Sequence, residues 1–158
     1  MGREQTKTAL NEMELVVFTV ADVPCALRIE EVREIKRIGR ITPVHNAPRY
    51  VRGVVNLRGH IVTVIDLRTK MDYPHRPVGT HARMVVVWRD EEQIGLLVDT
   101  IEDALVVYEE DIAGPPPNVN GAEGRLFRGV YKAAETLVAI LNLEAILEKG
   151  QSDASAQH

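Results

Sequence analysis

The chain has 158 residues, of which 45% are hydrophobic, 27% are charged and only 4% are aromatic. This length and composition can form the core of one globular domain or of two small interlocked ones. The formal net charge of −4 and the scarcity of aromatic side chains argue against a nucleic-acid-binding protein, which needs basic surface and stacking platforms. The single Cys25 excludes an intramolecular disulfide, and its apolar surroundings predict a small buried side chain.

No segment of the sequence resembles a secretory leader, and no apolar run is long enough to cross a membrane. We therefore expect a soluble, cytoplasmic protein that does not insert directly into a membrane. The polar residues 1–13 and 150–158 are expected to be flexible tails around one folded region, residues 14–149.

The first half of the folded region, residues 14–71, has the residue pattern of short strands. Its runs of Val and Ile fit a pleated sheet, and Pro, Gly and Asp mark the turns between them. Strands are predicted at 14–20, 25–27, 33–38, 54–57 and 61–67, single helical turns at 29–32, 48–51 and 68–71, and a loop at 39–48.

The second half, residues 83–149, follows a crossover loop at 72–82 and shows the same kind of pattern. Three consecutive prolines from Pro115 predict a loop at 109–125, because proline can neither donate to a central strand nor continue a helix. A helix is predicted at 143–149, ended by Gly150. Strands are predicted at 83–89, 93–98, 102–107, 126–131 and 137–142, with a helical turn at 99–101.

The sequence from Arg52 to Leu67 predicts a hairpin whose second strand is buried on both faces. Arg58 and Gly59 form the turn, in which Gly59 supplies the positive φ that a tight hairpin often needs. In the second strand, both alternating sets of side chains are mostly apolar. A single small barrel buries only one face of each strand, so this strand predicts a second packed layer.

The hairpin recurs later in the chain without a gap. Gly53 aligns with Gly129 at an offset of 76 residues, and Val32 aligns with Ile101 at an offset of 69. Fixed offsets indicate two copies of one supersecondary unit. The second copy lacks the Asn-Leu-Arg-Gly turn, which indicates that the first turn has a role of its own.

About ten short strands in two related halves, with very little helix, predict an all-β fold. Two five-stranded β-barrels packed together, with a short C-terminal helix, explain both the repeat and the strands that are apolar on both faces. The approximate halves are residues 14–71 and 83–149, and strands can be exchanged between them.

A set of motifs across the folded region is similar to those of the CheW family of bacterial chemotaxis. The Asn-Leu-Arg-Gly turn followed by an apolar strand that ends in Asp-Leu is specific in this fold. The same module also forms the regulatory end of the CheA kinase and the front of CheV, and 158 residues leave no room for the other domains of those proteins. The motifs are Pro48, Gly53-Val54, Asn56-Leu57-Arg58-Gly59, residues 62–67 with Asp66, Val32-Arg33-Glu34-Ile35, and residues 95–99.

This resemblance implies two SH3-like barrels with a third core between them. It implies a non-enzymatic scaffold that couples the cytoplasmic helical hairpin tips of chemoreceptors to the CheA histidine kinase, and that is monomeric when free. A variant of the same hypothesis places the adaptor in a pilus or other non-flagellar chemosensory pathway.

The resemblance also implies which residues touch the partners. An amphipathic receptor helix would lie on an apolar stripe where the barrels meet, and an arginine would bind polar groups at its tip. The expected receptor-binding residues are Val32, Glu34, Ile35, Arg52, Asn56, Arg58, Ile94, Val98 and Ile101, and the expected kinase-binding residues are Ile41 and Thr42. Two departures from the family pattern are Asn118, where some members have an aromatic residue used in ring building, and Thr63, which replaces a common proline.

Several of these residues also have a purely structural interpretation. Asn56 would satisfy backbone groups of the hairpin, and Asp66 would cap the helical turn after its strand. Gly53 and Gly129 would allow close approach of two backbones. About half of the apolar receptor-binding set is expected to be buried, as is usual for such residues.

No cofactor or metal is predicted, because the five histidines lack ligand spacing, and no catalytic motif is present. Two alternatives from other classes stay open at this point. One is an enzyme that uses the groove between the barrels, and the other is a small-barrel nucleic-acid binder, which the net charge and the few aromatic residues disfavour.

Overall fold

The computed structural model describes residues 11–148, and most of these residues lie in short strands. The expected tails at 1–10 and 150–158, and the helix stop at Gly150, lie outside the described residues. The first strand begins earlier than predicted, at Glu12, because Glu12 and Met13 pair with Tyr108 and Val107. For these two residues the prediction of a tail was wrong.

The elements are numbered here in chain order. They are β1 (Glu12–Val20), β2 (Val23–Arg28), β3 (Val32–Arg37), β4 (Val51–Leu57), β5 (His60–Asp66), α1 (Leu67–Lys70), β6 (Arg83–Arg89), β7 (Glu92–Val98), β8 (Thr100–Ile101), β9 (Leu105–Tyr108), β10 (Ile112–Ala113), β11 (Asn118–Val119), β12 (Ala122–Glu123), β13 (Phe127–Ala133), β14 (Thr136–Leu141) and α2 (Leu143–Leu147). Short 3-10 turns lie at Ile29–Glu31, Glu109–Asp111 and Gly124–Leu126.

The strands form two main sheets, and each sheet takes strands from both halves of the sequence. One sheet has the order β3-β6-β7-β5-β4, and the other has the order β10-β13-β14-β2-β1-β8, with β9 also paired to β1. The hairpin β1–β2 therefore lies beside β14, and the hairpin β6–β7 lies beside β5. A separate ribbon pairs β11 with β12.

Each sheet curls round because the chain after one edge strand returns to the opposite edge. After β3, Thr42 bridges Val54 in β4 through two N–O hydrogen bonds of 2.8 Å. After β9, the equivalent segment β10 pairs with β13. The result is two small barrels, as the sequence predicts.

Three apolar clusters hold the barrels together. Val62, Val64 and Val86 belong to the cluster inside the first barrel. Leu15 and Ile140 belong to the cluster inside the second. The largest cluster lies between the two barrels and takes buried side chains from both sheets, among them Phe18, Leu27, Ile65, Leu67, Val85, Leu96 and Leu141. The all-β prediction with two packed barrels is confirmed.

The second strand of the predicted hairpin is buried on both faces, as expected. Val62 and Val64 face the core of their own barrel, and Ile65 packs in the central cluster. Ile61, at the start of the strand, is exposed. The turn has a positive φ at Arg58 (52°) and at Gly59 (85°), which suits a tight hairpin.

The internal repeat extends to the hydrogen-bond register. Val64 pairs with Gly95 in the parallel contact of β5 with β7, and Ile140 pairs with Ala26 in the contact of β14 with β2. These four residues correspond to one another at the offsets of 76 and 69 found in the sequence. The two copies therefore provide matched positions whose surroundings can be compared directly.

Two predicted elements were wrong. The expected helical turn at 99–101 is instead the strand β8, in which Thr100 and Ile101 pair with Thr19 and Phe18 of β1. The expected loop at 109–125 contains β10, β11, β12 and two 3-10 turns. The partners of β8 and β10 lie in other parts of the sequence, so local residue preferences did not reveal these strands. The β11–β12 ribbon is a local pair of two-residue strands that the proline-rich sequence concealed.

Candidate functional site

Strand β3 and the tip of the β4–β5 hairpin bring together four of the expected receptor-binding residues. Val32 and Ile35 pair with Val87 and Val85 of β6, whose side chains belong to the central cluster. Directly opposed residues share a face of the sheet, so Val32 and Ile35 lie at the rim where the barrels meet. Glu34 opposes Val86 of the first-barrel cluster, so its side chain leaves the edge strand on the other face. Val32 is half-buried and Ile35 is exposed. The term β3 surface is used below for Val32, Glu34, Ile35 and Arg58.

Arg58 is held against β3 by an ion pair with Glu34. Its Nη1 donates to Oε1 of Glu34 at 3.2 Å, and its Nη2 donates to Oε2, so the contact is bidentate. Hydrogen bonding from Arg58 lowers the pKa of the Glu34 carboxyl, and the same bond raises the pKa of Arg58. Because the Arg58 side chain is 53% exposed, the charged pair is open to a partner.

Asn56 stabilises the turn that presents Arg58. Its Oδ1 accepts a hydrogen bond of 2.9 Å from the backbone N–H of Gly59. Asn56 is exposed, so the structure gives this side chain a role in the hairpin without covering it. The backbone role considered in the sequence is therefore present in the structure.

Arg52 does not belong to the β3 surface, in contrast to the expectation. It donates to Oδ2 of Asp66 at 2.8 Å and to the carbonyl oxygen of Arg76 at 2.9 Å, and it lies 3.1 Å from Nδ1 of His75. Asp66 is only 2% exposed and needs a positive partner, because an unpaired buried carboxylate is costly. Arg52 is therefore part of the internal structure.

Ile94 and Val98 also differ from the expectation. Each is 1% exposed and packs in the central cluster, so neither side chain can contact a partner in this structure. The apolar pattern of β7 does not distinguish a strand covered on both faces from one at a groove, and only the sheet order shows that β7 is central.

Ile101 lies at the far end of β3 from Val32. It lines a groove of about 310 Å³ between the two sheets together with Arg83, which pairs with Arg37 at the end of β3. A strand of six residues is roughly 20 Å long, so Val32 and Ile101 mark two ends of one extended surface.

The residues expected to bind the kinase lie in the segment that closes the first barrel. Ile41 packs partly against the core of that barrel, and Thr42 is exposed next to the exposed Val44. A Cβ atom on Gly53 would lie 2.7 Å from Cγ2 of Ile41 and would also collide with the backbone of Thr42. Gly129 has the equivalent relation to Ile112, at 2.6 Å.

Other expected residues have local structural contacts. Asp66 accepts a hydrogen bond of 3.0 Å from the N–H of Arg68 and so caps α1. Asn118 accepts a bond of 2.9 Å from the N–H of Gly121 and holds the β11–β12 ribbon. Thr63, which departs from the family pattern, is accommodated in β5 and is half-buried.

Sequence analysis missed one feature beside Val32. Trp88, at the end of β6, is 44% exposed, and the guanidinium carbon of Arg33 lies 5.0 Å from its ring centroid. An exposed tryptophan is unusual, and tryptophan and arginine are frequent at interfaces. The signal in the sequence is that this is the only tryptophan of the chain and is followed by a charged turn.

Two further findings concern the region that the structure describes. Within residues 11–148, no three His, Cys, Asp or Glu side chains are grouped as metal ligands. None of the helices in that region has the length and apolar character needed to span a bilayer.

Comparisons with known proteins agree on one family. The sequence model of the CheW-like domain matches residues 14–151. The chain is 31% identical to the chemotaxis protein CheW of Helicobacter pylori over 137 residues, which are 87% of this chain and 82% of that protein. It is 29% identical to the chemotaxis protein CheW of Rhizobium meliloti over 142 residues, 90% of this chain and 92% of that one.

A similar fold is found in a crystal structure of the scaffolding protein TtCheW from Thermoanaerobacter tengcongensis. The TM-score is 0.80 at 28% sequence identity, and the similarity covers 87% of this chain and 89% of the other.

Proposed function

Because this chain belongs to the CheW-like domain family, as a CheW-type adaptor of chemotaxis, we propose that it couples chemoreceptor tips to the CheA histidine kinase in the cytoplasm. The observation that carries this proposal is the β3 surface. There the apolar residues Val32 and Ile35 share the edge strand β3 with Glu34, which forms a prearranged ion pair with the exposed Arg58.

The shape and chemistry of the β3 surface suit a helical rod. An amphipathic helix binds through residues spaced three or four apart, which repeat about every 5.4 Å along one face. A surface roughly 20 Å long offers contacts to three or four helical turns. Val32 and Ile35 supply apolar contacts on the β3 surface. Ile101, which lines the groove near the end of β3, supplies a further apolar contact for the same helix.

Arg58 is placed to determine which part of the receptor is bound. Its guanidinium has five donors, and Glu34 takes only two of them. The remaining donors can bind carboxylate or carbonyl oxygens at the tip of a helical hairpin. The pairing with Glu34 also fixes the side chain, so less conformational freedom is lost when the partner binds.

The kinase contact in this proposal uses a different part of the molecule. Thr42 and the exposed Val44 lie on the segment that closes the first barrel, and Ile41 anchors that segment in the barrel core. Two separate surfaces allow both partners to bind at once. The mechanism is then simultaneous binding, with no chemical step carried out by this chain.

The proposal is tested by replacing Arg58 with glutamate and measuring both partners by calorimetry. Arg58→Glu places two carboxylates together on the β3 surface, and we expect receptor-fragment binding to weaken by about tenfold or more. Binding to the CheA regulatory domain and the melting temperature should stay nearly unchanged, because the side chain is exposed.

Arg125→Glu is a matched control. Arg125 is 52% exposed and forms a comparable ion pair with Glu123, but it lies away from β3. It should not affect receptor binding. Equal loss of receptor and kinase binding in Arg58→Glu would show that Arg58 is structural. Absence of binding to either partner at high micromolar concentration would overturn the adaptor proposal.

A further inference from the structure

The two copies of the repeated unit differ at the seam between their short helix and the neighbouring hairpin. In the first copy, Arg68 on α1 donates to both carboxylate oxygens of Asp99, at 3.0 and 2.6 Å. Asp99 also accepts a hydrogen bond of 2.7 Å from the N–H of Ala21, in the turn between β1 and β2. An arginine thus joins the helix, the hairpin turn and the end of β7.

The equivalent seam of the second copy has acidic residues at all three positions. At the offset of 76, Arg68 corresponds to Glu144 on α2. At the offset of 69, Asp99 corresponds to Glu30 and Ala21 corresponds to Asp90. Carboxylates cannot pair with one another, so the bridge of the first copy cannot form here.

These correspondences rest on the registers of the strands. The turn after β1 is closed by the pair Val20 and Val23, and the turn after β6 is closed by Arg89 and Glu92, each shifted by 69 residues. The two helices begin 76 residues apart, at Leu67 and Leu143. Both offsets therefore hold in the structure at the seam itself.

The second seam is open. It contains a groove of about 790 Å³, and its lining includes Glu31, Trp88, Asp90, Glu144 and Leu147. Trp88 and Leu147 supply apolar surface for a bound chain. A groove of this volume is within the usual range for a ligand site.

The charged lining of this groove consists of four carboxylates, Glu31, Asp90, Glu144 and Glu148, and three arginines, Arg28, Arg89 and Arg128, which leaves a formal excess of one negative charge. Arg89 is engaged, since it donates to Glu92 at 2.8 Å and to the carbonyl oxygen of Leu147 at 3.1 Å. Arg28 lies 3.7 Å from Glu31, and its buried Nε has no hydrogen-bond partner within residues 11–148. Within residues 11–148, the groove carboxylates Asp90 and Glu144 have no ion-pair partner. Among the groove arginines of the same region, Arg128 also has none. The unpaired groups thus carry more negative than positive charge.

We propose that this seam groove binds a basic segment of a partner protein. An arginine or lysine of the partner takes the place between α2 and the β6–β7 turn that Arg68 holds in the first copy. Its charge is balanced by Glu144 and Asp90, and flanking apolar side chains pack on Trp88 and Leu147. This inference does not rest on the proposed function, although the groove adjoins the β3 surface through Trp88, whose ring lies under Arg33 of β3.

The single tryptophan of the chain lines the groove and reports on its occupancy. The probe is a capped octapeptide with two arginines and two leucines, titrated into the full chain while Trp88 fluorescence is recorded. A second octapeptide carries glutamate in place of arginine. We expect a saturable fluorescence change with the arginine peptide and none with the glutamate peptide.

Substitution of Glu144 by arginine tests whether a cation on α2 can take the place of the partner's basic side chain. Glu144→Arg restores the charge found at Arg68, and we expect it to weaken peptide binding by about tenfold or more. Glu144→Gln should weaken binding by about threefold to fivefold, and it decides the question if the arginine variant does not fold. Glu135→Gln removes an exposed carboxylate outside the groove and should leave binding unchanged.

Three results would overturn the inference. They are no saturable change up to millimolar arginine peptide, an equal response to the glutamate peptide, and equal weakening by Glu135→Gln and Glu144→Gln.

Discussion

The two arginines at matched positions of the repeat should differ greatly in their contribution to stability. Arg52 and Arg128 each precede Gly-Val at the same place in a hairpin. Arg52 binds the buried carboxylate of Asp66, whereas the position corresponding to Asp66 in the second copy is Asn142 and Arg128 is exposed. The perturbation is replacement of each arginine by alanine.

The expected magnitude follows from what each substitution leaves behind. Arg52→Ala leaves Asp66, 2% exposed, with a negative charge and only the N–H of Arg68 as a donor. Removing one partner of a buried ion pair costs about 3–5 kcal/mol. Because Arg52 is itself partly exposed, at 16%, we expect a loss near the lower end, about 3 kcal/mol.

Arg128→Ala removes no ion pair within the described residues and should change the free energy of unfolding by less than about 0.5 kcal/mol. In a chain of this size, 3 kcal/mol corresponds to a fall in melting temperature of roughly 6–12 °C.

Urea unfolding monitored by circular dichroism measures both variants. The midpoint of Arg52→Ala should fall with little change in slope. A further variant, Asp66→Asn, reproduces the residue of the second copy, and in that background Arg52→Ala should cost much less, because no buried charge is left unpaired. Similar losses for Arg52→Ala and Arg128→Ala, or no rescue by Asp66→Asn, would refute the reasoning.

Two other predictions concern backbone packing and a buried thiol. Gly53→Ala should destabilise the fold by about 3 kcal/mol, because Gly53 has a φ of 150° and an added Cβ would collide with the segment that closes the barrel. Gly39→Ala is the control: an added Cβ has no atom within 4 Å, so the free energy of unfolding should change by less than about 0.5 kcal/mol. Thermal melts of both variants check this. Burial, and secondarily the charge of Asp99, raises the pKa of the Cys25 thiol to about 12. Native protein should therefore react with a thiol reagent at pH 8 far more slowly than urea-unfolded protein. The folded-state pKa of Cys25 is above the ordinary value of 9.0, so the unfolded chain loses the thiol proton at a lower pH than the folded chain does. The stability that Cys25 contributes as a neutral buried thiol is therefore complete below pH 9 and is lost as the pH rises toward 12. The difference in free energy of unfolding between the unsubstituted protein and Cys25→Ala should shrink over this pH range. A difference that stays constant would contradict the raised pKa of Cys25.

The sequence alone determined most of the longer strands, the hairpin and the repeat, but not the two-residue strands β8, β10, β11 and β12. Strand positions follow from side-chain alternation, and turns follow from residues such as Gly59 that allow a positive φ. These are local properties, so they can be read without knowing the fold. The repeat is visible because identical spacing in both copies maintains the same registers, as in Val64 with Gly95 and Ile140 with Ala26.

The tertiary structure alone decided which of the expected site residues are exposed and which contacts they make. The sequence places both Ile94 and Ile35 in strands and does not show which is covered. Ile94 is buried because β7 is central in its sheet, and Ile35 is exposed because β3 is at an edge. Arg52 and Arg128 each precede Gly-Val, but Arg52 contacts Asp66, His75 and Arg76, which are distant in the sequence, whereas Arg128 is exposed. Burial and charge pairing depend on which distant segments pack together, and that is a property of the whole fold.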